Sequence, residues 1–277
     1  MLNEWLNTFL LWPFIGGLLM ALLLGLGGAA FFLKGAAWQG LALAQMAASG
    51  GLVASVVAWP LVPTALGFAG VLTAVLQNRK EQERLSLAAF LAALAMTTLL
   101  ASNFSQASLA AARWMEGQVY FLAGSQVAWV VGLAGVTLIV LPWLYRVWLL
   151  SQLGADRGWR LPAGWRLQSL DVVWRLLLVV LGSLTLGLPA ALACLLLPAW
   201  TAAMFARGLK SFFLLSVVFS LTAFLLAWVI ALRGDQPFAP VLVLVAMVQG
   251  GGLYALKLIL RFFHPPFRAP AANLRLH

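Results

Sequence analysis

The sequence predicts an all-α membrane protein, a polytopic bundle of about eight or nine transmembrane helices. Of its 277 residues, 64% are hydrophobic and only 9% are charged, and the mean hydropathy is +1.00. Soluble domains are about 45–50% apolar and about 25% charged, so a water-soluble globule is excluded. Apolar stretches near the length of about 20 residues that a membrane helix needs recur along the chain. We therefore expect a single transmembrane domain over residues 1–277.

Nine apolar segments result when the sequence is cut at its charges, prolines and polar clusters. The sixth and seventh are short, and the tight turn at Gly187 also allows them to be one broken unit. Residues 105–125, which include Trp114 and Tyr120, are predicted to be interfacial or re-entrant. Residues 149–171 are predicted to form a cytoplasmic loop and residues 263–277 a cytoplasmic tail. The nine segments are 13–33, 38–58, 61–77, 85–103, 126–148, 172–186, 188–204, 212–232 and 239–260.

The basic residues are strongly segregated between the two ends of these segments. Nine alternating crossings place fifteen of the seventeen Lys and Arg residues on one side and only Arg113 and Arg233 on the other. Cytoplasmic loops of membrane proteins carry an excess of Lys and Arg. The split therefore predicts an external N-terminus and a cytoplasmic C-terminus, and it explains the net charge of +10 without nucleic acid as a partner. The fifteen are Lys34, Arg79, Lys80, Arg84, Arg146, Arg157, Arg160, Arg166, Arg175, Arg207, Lys210, Lys257, Arg261, Arg268 and Arg275.

Small residues recur every fourth position in two of the segments. Helices associate in lipid by close backbone approach, since lipid tails are as apolar as the side chains. We expect both rows to be helix–helix contacts within a compact bundle rather than the wall of a wide pore. The first row is Gly17, Ala21, Gly25 and Ala29, and the second is Ala190, Cys194, Ala202 and Ala206.

Motifs for catalysis, for metal sites and for resident cofactors are missing from the sequence. No lysine follows glycine as it does in a P-loop, so ATP is not expected to bind here in that way. Cys194 lies in an apolar segment, where a thiol is usually a packing residue. His264 and His277 have no Asp, Glu or Cys close by and are expected to be solvated. We predict no catalytic residue, no metal ligand set and no cofactor.

Polar residues within the apolar segments are the candidates for a transport pathway, because buried polar groups in a membrane are costly. Gln45 lies about 10 Å into the second segment at about 1.5 Å per residue, and Ser49 follows one turn later. Gln249 lies in the last segment, and Asn103, Gln126 and Thr222 are weaker candidates. Each of these groups could either make an interhelical hydrogen bond or line a pathway, and the sequence leaves both interpretations open.

Three stretches resemble the permease subunits of zinc/manganese-type ATP-binding-cassette (ABC) importers, and their order and spacing extend the resemblance over most of the chain. FIGGLLMALLLGLGGAAFFLKGAAWQGLALAQMAASG, residues 14–50, resembles the first two helices of that family. LPAALACLLLPAWTAAMFARG, residues 188–208, resembles the stretch that leads into the cytoplasmic coupling region. GDQPFAPVLVLVA, residues 234–246, resembles the external turn before the last helix, in which Asp235, Pro237 and Pro240 match and Ala239 replaces glycine.

The resemblance implies a permease of the bacterial cytoplasmic membrane that works as a homo- or heterodimer in the lipid bilayer. A separate cytoplasmic ATPase would dock at residues 198–210, with Pro198, Arg207 and Lys210 as the candidate residues. An extracytoplasmic solute-binding protein would meet residues 59–63 and 234–240. The docking segment was expected to form a short charged helix after the helix-breaking Pro198. Its two basic residues could equally be an ordinary cytoplasmic anchor.

The chain departs from the family pattern at two positions that would bind a cation. Leu41 stands where the family has Asp, and Gln45 stands where it has His. A Gln carbonyl coordinates a divalent cation only weakly, so transport of zinc or manganese is implied by the resemblance and not by these residues. A changed substrate and a non-transporting scaffold are the alternatives. A transporter driven by an ion gradient is disfavoured, because the sequence places no carboxylate in mid-membrane.

Overall fold

The chain forms helices in every part that the structure describes. The structure is a computed structural model, and it describes residues 8–76, 81–117, 119–122, 124–156 and 164–263. These ranges contain ten α-helices, one 3-10 helix at Val119–Phe121 and no strand, which confirms the predicted all-α class. The helices are α1 (Thr8–Leu33), α2 (Ala37–Val57), α3 (Leu61–Leu76), α4 (Gln82–Asn103), α5 (Ser105–Glu116), α6 (Gly124–Asp156), α7 (Trp165–Leu186), α8 (Leu188–Phe205), α9 (Leu209–Gly234) and α10 (Phe238–Phe263).

Eight of the described helices are long and apolar enough to cross a membrane, and α3 is a ninth, shorter apolar helix. The 16 residues of α3 span about 24 Å. Helices α2 and α4 lie side by side and run in the same direction, because Lys34 and Gln39 border the same cavity as Gln82 while Gln45 contacts Thr97 further along. The chain must return between them, and α3 makes that return. The sixth and seventh predicted segments are separate helices, α7 and α8.

Helix α1 lies at the centre of the bundle, against α6, α7, α8 and α9. The small residues predicted to be a contact face lie against α9: a β carbon on Gly17 would come within 2.7 Å of Phe224, and one on Gly25 within 2.7 Å of Ser220. Ser216 donates a hydrogen bond to the carbonyl of Gly25, and Ser220 to that of Ala21, each at 2.7 Å. The prediction of a close helix contact is confirmed for this row.

The contacts between α1 and α9 also define the two ends of the bundle. Increasing numbers on α1 meet decreasing numbers on α9, so these helices are antiparallel. Lys34 therefore lies at the same end as Arg207 and Lys210, and the ring contact of Phe32 with Phe212 at 5.5 Å agrees with this. We call this the basic end. The α2–α3 turn and the α9–α10 turn lie at the opposite end.

The predicted loop at residues 149–171 is largely helical. Helix α6 continues to Asp156 and α7 begins at Trp165, which leaves only residues 157–163 outside the described ranges. The prediction failed because it ended each helix where the apolar run ended, whereas a helix can continue beyond the hydrocarbon layer. The predicted tail lies outside the described residues apart from residue 263, where α10 ends.

The segment predicted to be interfacial or re-entrant folds as α5 and the 3-10 helix, at the opposite end. Trp114 is buried, with 5% of its surface exposed, and its ring packs against Gly51 of α2. Gly187 takes a positive φ of 90° between α7 and α8, and a β carbon there would come within 2.7 Å of the Trp114 carbonyl oxygen. Glycine at position 187 thus permits both the turn and the docking of α5.

Candidate functional site

Gln45 and Ser49 lie one turn apart on the buried face of α2 that meets α4. The Gln45 side chain is 4% exposed and its Nε2 donates a hydrogen bond to Thr97 Oγ1 at 3.0 Å. Ser49 is fully buried and donates to the carbonyls of Gln45 and Ala93, each at 3.0 Å. Both side chains therefore make hydrogen bonds at the α2–α4 contact, as one of the two sequence interpretations expects.

Gln249 is half-buried on α10 and donates a hydrogen bond to Thr222 Oγ1 of α9 at 2.8 Å. Its hydrogen bond therefore runs to α9, whereas that of Gln45 runs to α4. The two glutamines do not share a hydrogen bond within one chain. Lining of a pathway by Gln45, Ser49 or Gln249 stays a prediction.

Leu41 lies one turn before Gln45, so Leu41, Gln45 and Ser49 occupy successive turns of one α2 face. This face offers one amide oxygen and one hydroxyl in place of a carboxylate and an imidazole. Within the described ranges no group of three His, Cys, Asp or Glu side chains is close enough to hold a metal ion. A cation crossing next to this face would meet weak, neutral oxygen ligands.

The predicted ATPase-docking segment differs from the expected short helix. Pro198 is buried inside α8, which continues to Phe205, and only residues 206–208 separate it from α9. Proline is tolerated in a membrane helix because neighbouring groups satisfy the freed carbonyl, so Pro198 does not break α8 and is not part of an exposed surface. Arg207 and Lys210 are exposed at the basic end, where the Ser211 hydroxyl accepts from the amides of Arg207 and Gly208 at 3.1 Å.

The predicted external turn is exposed at the opposite end. Asp235 ends α9 in the left-handed conformation with φ 47°, and its amide donates to the Ala231 carbonyl. Pro237 directly precedes α10, and Pro240 lies in the first turn of that helix, with both rings exposed. The α2–α3 turn at the same end exposes 60% of Trp59. These two turns form the surface that the sequence assigned to a solute-binding protein, and that assignment stays a prediction.

A buried charged cluster at the basic end was missed by the sequence analysis. Asp171 of α7 is fully buried, and its Oδ2 lies 2.5 Å from Lys34 Nζ and 3.0 Å from Arg175 Nη2. Its Oδ1 accepts a hydrogen bond from Trp148 Nε1 of α6 at 2.8 Å. The one available signal was the four-residue spacing of Asp171 and Arg175, which places both on one helix face. Lys34, 137 positions away, could not be linked to them from sequence.

Two features around Lys34 disfavour its charged form, and Asp171 favours it. Burial has the largest effect and lowers the pKa of the Lys34 ammonium below its ordinary value of 10.5, and the nearby Arg175 lowers it further. Asp171 opposes both effects through its charge and its hydrogen bond. Asp171 therefore compensates the partly buried Lys34 and the buried Arg175, which also lies 5.2 Å from the Phe31 ring and 3.4 Å from Gln39 Oε1.

The fold and the site together define a polytopic membrane helix bundle whose polar groups serve helix contacts and surfaces at its two ends. The chain belongs to the ABC 3 transport family, whose sequence profile matches residues 7–250. The family resemblance inferred from the three sequence stretches is thereby confirmed. The chain is thus the permease component of an ABC transporter and is not the ATPase.

Two solved structures share this fold. PsaBC from Streptococcus pneumoniae in complex with Fab is 20% identical, with 96% of this chain and 97% of that chain covered and a TM-score of 0.74. A structure described as a metal-chelate type ABC transporter in an inward-facing conformation is 14% identical, with 88% and 85% covered and a TM-score of 0.66. The sequence matches no curated protein at a significant level.

Proposed function

We propose that the chain is the transmembrane subunit of an ABC importer for divalent metal ions, zinc or manganese. The observation that carries the proposal is the match of residues 7–250 to the ABC 3 transport family. The similarity in fold to PsaBC and to a metal-chelate type ABC transporter supports the metal as substrate. The contribution of the protein would be alternation between two conformations, because the described residues hold no cluster typical of a metal site.

The orientation proposed for this importer has the basic end in the cytoplasm of a bacterial inner membrane. In the described part of the chain, Arg113 and Arg233 lie at the other end, whereas the basic end holds Lys34, Arg84, Arg146, Arg166, Arg175, Arg207, Lys210, Lys257 and Arg261. The positive-inside rule supports this direction. The N-terminus would then be external and the C-terminus cytoplasmic.

Partner subunits would bind at both ends. A cytoplasmic ATPase would dock at Arg207 and Lys210. Both side chains are exposed, and both residues lie shortly after the end of α8. A solute-binding protein would meet the external turn around Asp235, Pro237 and Pro240. A second permease copy, identical or homologous, would complete the pathway, as the family resemblance implies.

A second candidate is an ABC permease for another substrate, and the α2 face favours it. Leu41 supplies no ligand, and Gln45 is already hydrogen-bonded to Thr97. That hydrogen bond uses the amide nitrogen of Gln45 and leaves its amide oxygen as a weak, neutral ligand. A scaffold that transports nothing is consistent with the same two residues.

The test is transport by the native complex. The chain would be tagged, captured from its native membrane with its bound subunits, and reconstituted into vesicles with its solute-binding protein outside and ATP supplied on the cytoplasmic side. ATP-dependent accumulation of zinc or manganese is expected, and omission of ATP is the control. Hydrolysis of ATP without accumulation of either metal would show that the substrate is different. Capture of the chain without any ATPase subunit would favour the scaffold.

A further inference from the structure

The cluster of Lys34, Asp171 and Arg175 connects parts of the chain that are distant in sequence. Lys34 belongs to the turn between α1 and α2, Asp171 and Arg175 belong to α7, and Trp148 belongs to α6. The Asp171 carboxylate bonds to all three of these groups, with distances of 2.5, 3.0 and 2.8 Å. The α1–α2 turn is thus tied to two other helices through one buried carboxylate.

We propose that Asp171 is a positioning residue for transport: through Lys34 it holds the α1–α2 turn on α6 and α7. It would thereby set the position of the start of α2, the helix that carries Gln45 and Ser49 further along. We call the Lys34–Asp171 pair the turn clamp. The role in transport rests on the proposed function, whereas the holding of the turn does not.

The α1–α2 turn itself has few polar contacts, although Gln39 at the start of α2 also accepts from Arg175 at 3.4 Å and apolar packing holds α2 against α3 and α4. Gly35 takes a positive φ of 62°, and no side chain caps the first turn of α2. Two backbone hydrogen bonds close the turn, from Gly35 to Phe32 and from Ala36 to Phe31, each at 3.0 Å. Helices α1 and α2 share little contact with each other. The turn clamp is therefore the one ion pair among the described residues that fixes this turn to the rest of the bundle.

A polar cavity of about 230 Å³ lies directly beside the turn clamp. It is lined by Lys34, Gln39, Glu83 and Ser86, among others, and it separates the turn from the start of α4. Lys34 is 21% exposed on this side, whereas Asp171 is fully buried. The turn consequently has space to move towards α4 when the turn clamp opens.

The charge balance of the cluster indicates that Lys34, rather than Asp171, is the residue to substitute in a test of the turn clamp. Loss of Asp171 would leave the buried Arg175 and the partly buried Lys34 without a counter-ion, and removal of one partner from a buried pair is strongly destabilising. Loss of the Lys34 charge would instead leave Asp171 paired with Arg175 at 3.0 Å and with Trp148 at 2.8 Å. Lys34→Met therefore releases the turn and keeps the interior neutral.

The experiment compares Lys34→Met and Lys34→Gln with Lys34→Arg, which restores the cation. Arg84→Met is the matched control, because Arg84 lies at the same end and its ion pair with Glu81 is exposed. Hydrogen exchange of residues 35–40 is measured on the purified complex, and metal ions moved per ATP hydrolysed are measured in vesicles. A purely structural role would change the yield of folded complex and leave the number of ions per ATP unaltered.

We expect exchange in residues 35–40 to rise about tenfold in Lys34→Met and Lys34→Gln, and ions per ATP to fall about fivefold. Lys34→Arg and Arg84→Met should match the wild type. Wild-type exchange in both charge-removing variants would overturn the turn clamp. Faster exchange with unaltered ions per ATP would overturn the role in transport. Wild-type vesicles that hydrolyse ATP but move neither metal would instead refute the proposed function, while the exchange measurement still decides whether the turn is held.

Discussion

Gly28 on α1 and Leu195 on α8 approach so closely that a β carbon on Gly28 would come within 1.8 Å of the Leu195 carbonyl oxygen. The obstacle is backbone and cannot rotate away. Neighbouring contacts of α1 are similarly tight, as at Gly25 against Ser220. Glycine at positions 28 and 25 of α1 therefore allows α8 and α9 to pack closely against this helix.

Gly28→Ala should therefore destabilise the bundle. Overpacking of a tight interior contact costs about 1–3 kcal/mol, and we expect a lower thermal unfolding midpoint and a lower yield in detergent. Gly132→Ala is the matched control, because position 132 lies in α6 with open space around it. Alanine there should be neutral or stabilising, by up to about 1 kcal/mol. Equal midpoints for the two variants would contradict the close contact of α1 and α8.

Labelling of single cysteines tests the orientation. Cysteines placed at Gly234 and Arg113 should react with an impermeant reagent on intact cells, whereas cysteines at Arg160 and Lys210 should react only after permeabilisation. Arg160 lies outside the described residues, and its position follows from the charge distribution alone. The native Cys194 is fully buried and should give little background. Labelling of the Arg160 position in intact cells would reverse the orientation.

Arg207→Asp tests the docking surface at the basic end. The side chain is exposed, so the bundle should fold normally while the reversed charge weakens binding of the ATPase subunit. Recovery of the ATPase with the tagged permease is the measurement. Arg233→Asp makes the same change at the opposite end and should leave recovery unaltered. Equal recovery from both variants would place the docking surface elsewhere.

Composition and hydropathy were sufficient to predict the all-α class and the eight or nine apolar helices, because each membrane helix needs its own apolar run. The close contact of α1 was also predictable, since Gly17, Ala21 and Gly25 recur on one face of a single helix. The turn clamp was not predictable, because Lys34 and Asp171 meet only through tertiary packing across 137 positions. Pro198 was misinterpreted for a related reason, since contacts from other helices decide whether a proline ends a membrane helix.

The pKa of the Tyr120 phenol provides a test of how tightly the opposite end of the bundle is packed. Burial raises the pKa of its phenol to about 12, from an ordinary value of 10.0. The unfolded chain therefore loses this proton before the folded chain does, so this group stabilises the fold below about pH 10 and its contribution is lost as the pH rises towards 12. Ultraviolet titration of the wild type minus Tyr120→Phe should give one phenol with a midpoint near 12. A midpoint near 10 in that difference would contradict the burial.

The hydrogen bond from Gln45 to Thr97 allows pathway lining to be separated from helix packing. If Gln45 lines the pathway, Gln45→Leu should lower metal uptake strongly while the amount of folded protein hardly changes, because an interhelical hydrogen bond in lipid contributes only about 0.6 kcal/mol on average. Thr97→Val removes the same hydrogen bond and keeps the Gln45 amide. This matched variant should retain most of the uptake.

Gln45→His restores the residue type that the resemblance expects and should keep or raise uptake, because imidazole is a better ligand for zinc than an amide. Uptake of zinc and manganese into vesicles that contain the captured complex is the measurement for all three variants. Equal losses in Gln45→Leu and Thr97→Val would mean that the hydrogen bond acts through packing. Wild-type uptake in Gln45→Leu would remove Gln45 from the pathway.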